Sequence, residues 1–261
     1  MDSSFFNVLG KSFGLKLPES APDAWIRRWL PQNSVFSEEA VNCIGTFELR
    51  VEESELENGL YWQDELLCSF GGYDEETADG FEALVQMTLA SNSLPEHLFL
   101  HAGAVDLDGI GIIFPGDSRS GKSTLTRCFL EKGAKYYSDD CAVVDSSGRL
   151  VPFPSALKQR EGRKNRRVED LSFETAGTGT NKSIDLVLFS DFESGASWAP
   201  EKLSDSEAVW RLLQNLFFPP AMRENPKEAL GILRSVCGGA ECYLGKRGEA
   251  SEIVQFVRGL S

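Results

Sequence analysis

The chain has 261 residues, 41% hydrophobic and 25% charged, enough for one large domain or two small ones with a sizeable core. Lys and Arg number 26 against 40 Asp and Glu, a net charge of −14, which argues against a broad nucleic-acid or membrane-surface interface, so neither partner is expected. The start "MDSSFFNVLGKSFGL" lacks the cationic and apolar regions of a secretion signal, and no apolar run is long enough to cross a bilayer. The six cysteines form no CxxC pair and only two histidines are present, so reduced thiols in a cytoplasmic protein are expected, not a zinc site.

Taken in chain order, "TFELRVEE" and "GLYWQDELLCSF" read as strands around the turn-prone "ENG". "EETADGFEALVQMTLASN" reads as a helix with Phe81, Leu84, Val85 and Leu89 on one face and Met87 to the side. "LFLHAGAVDLDGIGIIF" reads as two strands around "DLDG", the second running into a glycine-rich loop. "KSTLTRCFLEKG" continues as a helix that stops at Gly133. "AKYYSDDCAVV" reads as one strand or a pair, "TAGTGTNKS" as a loop of small residues, and "SIDLVLFSD" as a buried strand. "SDSEAVWRLLQNLF" opens with a capping box, Ser204 to Glu207, and Pro226 suits the first turn of the next helix. "ECYLGK" reads as a short strand and "EASEIVQFVRGL" as a closing helix. Strands and helices alternate from residue 100, which predicts an α/β fold. The expected division is a β-rich layer with a helix over 1–95, packed on a nucleotide-binding domain over 96–261.

The segment "GDSRSGKS" fits GxxxxGK[ST] between a predicted strand and a predicted helix, the setting of a Walker A P-loop. Glycines let backbone amides converge on phosphate oxygens, and the helix start adds its dipole. The expected nucleotide contacts are Gly116, Asp117, Ser118, Arg119, Ser120, Gly121, Lys122, Ser123 and Thr124. Lys122 would reach the β- and γ-phosphates and Ser123 would ligate Mg²⁺.

Phosphoryl transfer also needs a metal ligand and a carboxylate near the attacking hydroxyl. Asp139 and Asp140 stand together before "CAVV"; Asp145 ends that run as a Walker B aspartate would, and Asp191 follows "IDLVLFS" in the same way. In the pair, one acid could hold Mg²⁺ while the other takes a proton. In a regular strand they would face opposite ways, so a shared site requires a bend there.

Together, "LHAGAVDLDGIGIIFPGDSRSGKSTLTRCFLEKGAKYYSDDCAVVD" resembles the catalytic domain of the HPr serine kinase/phosphorylase family, and more closely the stand-alone HPr-kinase-related proteins, some of which phosphorylate lasso-peptide precursors. Gly116 follows the histidine of the "LH" strand by fifteen residues, and Asp140 follows Lys122 by eighteen. The resemblance implies the P-loop kinase core shared with phosphoenolpyruvate carboxykinase, ATP and Mg²⁺ as cofactors, and a serine-bearing peptide or small protein as acceptor. It implies His101 as the active-site histidine, Lys122 and Ser123 in the roles above, Asp140 as the base toward the acceptor serine, and Asp139 beside it at the metal. It also makes a homo-oligomer an expectation. The family's downstream signature with a magnesium-binding glutamate has no counterpart here; Glu161 stands in that region. Phosphorylase activity, and HPr itself as substrate, are therefore not expected.

Lys158, Arg160, Arg163, Lys164, Arg166 and Arg167 form a basic burst opposed only by Glu161. It reads either as a solvated loop or as a grip on phosphates or an acidic peptide. Lys158 is the residue chosen to steady the transferred group, because the resembling kinases also carry "LK" after a proline-containing segment. The leading expectation is a serine kinase. A small-molecule hydroxyl as acceptor, or a nucleotide-dependent switch without turnover, are the alternatives.

Overall fold

The computed structural model describes residues 4–40, 42–51, 58–117, 120–161, 164–168, 172–217 and 223–260, with the backbone alone at 159–161 and 164–167. The chain divides into two compact units, Met1–Asn92 and Ser93–Ser261. The architecture is mixed α/β with several sheets.

In the first unit, β1 (Ser4–Val8) and β2 (Lys11–Lys16) form a hairpin whose turn residues, Leu9 and Gly10, have φ of 53° and 74°. Two left-handed residues match the twist of the flanking strands. Then come α1 (Asp23–Trp29), β3 (Val35–Ser37) and β4 (Cys43–Arg50). "GLYWQDELLCSF", expected as one strand, is two: β5 (Gly59–Trp62) and β6 (Glu65–Ser69). The chain reverses at Gln63 and Asp64, with φ of 47° and 69°. Asp64 is a turn-favouring residue, but neither position is a glycine, so the left-handed turn is only weakly marked in the composition.

The six-stranded sheet runs β3-β1-β2-β4-β5-β6. Phe6, Phe13 and Phe47 are buried on one face of it, with Phe6 stacked on each of the other two. The last element, α2 (Glu75–Ser91), is capped by Asp74, whose carboxylate accepts from the Thr77 amide. It buries Phe81, Val85 and Leu89 and leaves Met87 exposed, as the helical periodicity predicts. Phe81 meets Trp25 and Trp29 of α1 edge-on.

The second unit runs β7 (His97–Leu100), β8 (Ala102–Leu107), β9 (Ile110–Pro115), α3 (Lys122–Glu131), β10 (Lys135–Ser138), β11 (Ala142–Asp145), β12 (Arg149–Val151), β13 (Lys158–Glu161), β14 (Lys164–Arg167) and β15 (Lys182–Ser183). It continues with β16 (Leu186–Phe192), β17 (Glu201–Lys202), α4 (Asp205–Gln214), α5 (Pro226–Gly239), β18 (Glu241–Arg247) and α6 (Ala250–Gly259). A six-stranded sheet has the order β10-β8-β9-β16-β18-β17, and a four-stranded sheet the order β15-β12-β11-β7. In the larger sheet β16 pairs in parallel with both β9 and β18, and the remaining neighbours are antiparallel.

Both faces of the larger sheet are covered, which explains its nearly continuous apolar runs. On β8, β9 and β16 the side chains alternate: Ala104, Ile113, Val187 and Phe189 join one core with Leu212 of α4 and Leu233 of α5. Val105, Ile112, Phe114 and Leu188 join the other with Phe129 of α3 and Val254 of α6. The capping box expected at Ser204 and Glu207 is present, and Pro226 sits in the first turn of α5. Gly133, with φ of 90°, ends α3: its amide donates to Leu130 and that of Ala134 to Phe129, the paired bonds of a Schellman motif.

Two crossings between the sheets position the site. "LFLHAGAV" is not one strand: β7 lies in the four-stranded sheet, β8 in the six-stranded one, and His101 is the junction. "AKYYSDDCAVV" splits in the same way into β10 and β11, with Asp139 and Asp140 in a bend at the junction. The two paths run side by side. Ser138 pairs with Ala104 and Ala142 with Leu100, so one register carries through both sheets. A register shift between Tyr136 and Ser138 sets this phase.

Candidate functional site

The segment from Gly116 to Ser120 leads from the end of β9 into the start of α3, whose N-cap is Gly121. Its entry is fixed by a hairpin. Strands β8 and β9 pair from Leu107↔Ile110 to Ala102↔Pro115, closed by Asp108 and Gly109 with φ of 54° and 91°. One more step along this ladder sets His101 opposite Gly116, and the Gly116 amide donates to the His101 carbonyl at 3.2 Å. The His101 amide in turn donates to the Asn215 carbonyl, just past α4, at 2.7 Å. His101 is thus held by its backbone on both sides.

The glycines at both ends of the loop have no room for a side chain. A Cβ on Gly116 would lie 2.6 Å from Ser120 Oγ, and one on Gly121 2.2 Å from Arg247 Nη2. Gly121 has φ of 88° and no side chain caps the helix, so the first-turn amides of α3 have no side-chain acceptor there. Ser118 and Arg119, expected as nucleotide contacts, lie outside the described residues. Asp117 and Thr124 are exposed, and Ser120 is half-buried.

Lys122 is buried, 7% exposed, and folds back over the loop. Its ammonium donates to the carbonyls of Gly116 at 2.7 Å and Asp117 at 3.0 Å, and lies 3.3 Å from Asp140 Oδ1. His101 Nε2 is 2.9 Å from the same carboxylate oxygen and 3.2 Å from Lys122 Nζ. A ring nitrogen cannot both donate to a carboxylate and accept from an ammonium. The consistent assignment has Lys122 spend its three protons on Gly116, Asp117 and Asp140 while His101 Nε2 donates to Asp140.

The two aspartates divide. Asp139 is 3% exposed and accepts from Ser123 Oγ at 2.7 Å and Thr126 Oγ1 at 2.8 Å. Burial pushes its pKa up, the two hydroxyls offset this in part, and it settles at about 6. The Asp140 side chain is 59% exposed and reachable from solvent. Partial desolvation resists its ionisation, but the His101 hydrogen bond and the Lys122 charge outweigh that and hold it at about 2. The bend that the adjacent acids required is present, and it sends them to the two sides of the start of α3.

Other candidates stand apart. Asp145 ends β11 away from this bend and accepts from Ser147, the Arg149 amide and Asn181, so it organises a turn. Asp191, near the end of β16, is exposed and lies level with Lys246. Lys158 begins the hairpin β13–β14, half-buried, after Leu157, which packs in the core that holds Leu125 and Phe129 of α3. The side chains of Arg160, Glu161, Lys164, Arg166 and Arg167, and the whole of Arg163, lie outside the described residues.

Two residues were missed from sequence. Thr126 follows Ser123 by one helical turn and shares its face, a spacing that could have marked it. Arg247, 2% exposed, donates to the carbonyls of Ser120 at 3.3 Å and Gly121 at 3.0 Å. Nothing in "GKRGE" separates it from a solvated arginine.

The site suits a polyphosphate. It combines glycines at both ends of the loop, first-turn amides without a side-chain cap, and a lysine resting on loop carbonyls. Ser123 and Asp139 offer the hard oxygens that Mg²⁺ prefers. Among the described residues no cluster of three or more His, Cys, Asp or Glu could hold a metal unaided. A cation here would share its shell with phosphate oxygens, the usual habit of Mg²⁺.

No family model matches the chain, and no curated protein matches it. Among solved structures it is similar to the Hpr(Ser) kinase/phosphatase from Coxiella burnetii. That likeness has 11% identity and a TM-score of 0.33, over 62% of this chain and 97% of the other. Among the described residues no helix is long and apolar enough to cross a membrane.

Proposed function

We propose that the chain is an ATP- and Mg²⁺-dependent kinase that phosphorylates a hydroxyl group, the serine of a peptide or small protein. The observation that carries this reading is the convergence of Lys122, His101 and Asp140 at one point beside the glycine loop. A loop that only bound nucleotide would not need an exposed carboxylate beside its lysine. The serine acceptor follows the resemblance of the "LH", GxxxxGKS and "DD" segments to HPr-type kinases.

MgATP, when bound, supplies the transferable γ-phosphoryl group and neutralises charge on its oxygens. Lys122, now on the Gly116 and Asp117 carbonyls, would hold the phosphate oxygens. Ser123 Oγ and Asp139 would hold the cation, with Thr126 fixing the Asp139 carboxylate. Asp140 receives the acceptor hydroxyl as a hydrogen-bond donor and takes its proton. A carboxylate this acidic is a weak base, which suits a loose transition state in which the proton leaves late. His101 orients Asp140 through Nε2 and adds a donor beside the reacting oxygens. Lys158 steadies the transferred group from the hairpin at α3.

Incubation with γ-labelled ATP and serine-containing peptides tests the reading, with small hydroxyl metabolites in parallel. Label in acid-stable, alkali-labile phosphoserine is expected. Label only in a metabolite would reassign the acceptor, and nucleotide binding without transfer to any hydroxyl would favour a switch.

A further inference from the structure

Arg247 ends β18, two strands from β9 in the order β9-β16-β18. Its guanidinium is a buried cation that makes no ion pair among the described residues. Nη2 reaches the carbonyls of Ser120 and Gly121, the Phe192 ring lies 5.7 Å away, and Nε is buried without a hydrogen-bond partner. Burial lowers its pKa from the ordinary value. A buried charge without a counter-ion is costly, and the two carbonyls and the ring offset that cost only in part.

The geometry around it points outward through the loop. A trans peptide unit sets its N–H opposite its C=O. A cation on the Ser120 and Gly121 carbonyls therefore leaves the N–H groups of Gly121 and Lys122 directed away from itself. It also polarises both units, so those N–H groups become stronger donors. Gly121 makes this approach feasible, because a Cβ there would meet Nη2 at 2.2 Å.

Resting on the phosphate-loop reading above, we infer that Arg247 is an electrostatic positioning residue for the nucleotide: it aims the loop amides from behind, and the polyphosphate is the counter-charge that it lacks.

The test measures dissociation constants for MgATP, ADP and AMP, with melting curves of the free protein, for Arg247→Lys, Arg247→Gln and Arg247→Met. The charge-free variants are expected to bind MgATP on the order of tenfold more weakly, with a smaller loss for AMP. Arg247→Lys is expected to stay within about threefold of the wild type, since it keeps the charge. Arg247→Met is expected to melt at or above the wild-type temperature, because an unpaired buried charge has been removed. Wild-type affinity in both charge-free variants overturns the inference, as does a loss in Arg247→Lys equal to that in Arg247→Gln. If neither charge-free variant folds, the arginine is purely structural and the inference fails. A wild-type chain that binds no nucleotide overturns the phosphate-loop reading and the inference together. Binding that is unchanged across the variants overturns the inference alone.

Discussion

His101 Nε2 lies 2.9 Å from Asp140 Oδ1, although the two residues are 39 apart in sequence. Each stands at a junction between the two sheets, His101 where the chain passes from the four-stranded sheet into the six-stranded one and Asp140 where it passes back, and the two crossings share one register. The pair is therefore positioned by backbone ladders on both sides, and the side chains have only to meet.

Asp140→Asn tests the base. The amide keeps the size of the side chain but cannot take a proton. Transfer is expected to fall by about 10²- to 10⁴-fold, with MgATP affinity changed only a few-fold. Full transfer by this variant on a verified acceptor would remove Asp140 from the role of base.

Asp139→Asn should separate stability from activity. In the folded chain Asp139 keeps its proton up to about 6, against an ordinary 3.8. Between these values the folded state binds more protons than the unfolded one, so stability falls as pH rises through the window. At neutral pH the buried carboxylate costs about 3 kcal/mol. Asn can accept from Ser123 and donate to Thr126, whose hydroxyl can turn to the Lys122 carbonyl 3.1 Å away. The variant is expected to be more stable than the wild type at pH 7, to lose that advantage below about pH 4, and to transfer poorly. Asp140 acts in a different window: its pKa is lowered, so its contribution is present above its ordinary 3.8 and lost toward about 2. Denaturant titrations of both proteins at pH 4, 5 and 7 check the sign.

Gly121→Ala meets two obstacles. A φ of 88° is strained for alanine, and its Cβ would meet the Arg247 guanidinium. A loss of about 1–3 kcal/mol is expected, together with weaker nucleotide binding. An unchanged melting temperature would mean that the loop adopts another conformation in solution.

Lys122→Ala removes the cation shared by Gly116, Asp117 and Asp140. Nucleotide affinity is expected to drop by at least tenfold on the order of one lost charge contact. The fold should persist at a cost of about 1–3 kcal/mol for carbonyls left unpaired. Isothermal titration and a melting curve on the same sample separate the two effects.

The fifteen-residue interval from His101 to Gly116 was legible as a spacing, but its cause was not. It is the length of a hairpin closed by two left-handed residues, Asp108 and Gly109, and extended one step past its last strand pair. The acidic pair was legible because two adjacent carboxylates before an apolar run are conspicuous. The division between them was not, since it depends on the register shift near Tyr137. Local residue preferences carry no mark of which sheet a strand will join, so "LFLHAGAV" read as one strand. Arg247 was illegible for a related reason. Its burial comes from the parallel pairing of β18 with β16, a contact made far along the chain.

The shared register also bears on how the chain can change length. Residues added at the Asp108–Gly109 tip enlarge a loop and leave every pair below it intact. One residue inserted within β8 or β9 would carry His101 out of step with Gly116 unless a new bulge absorbed it. Among relatives, insertions and deletions should therefore gather at that tip and be scarce along the strands beneath it. A library of single-residue insertions would show the same border as a sharp step in nucleotide affinity and in the proposed phosphoryl transfer.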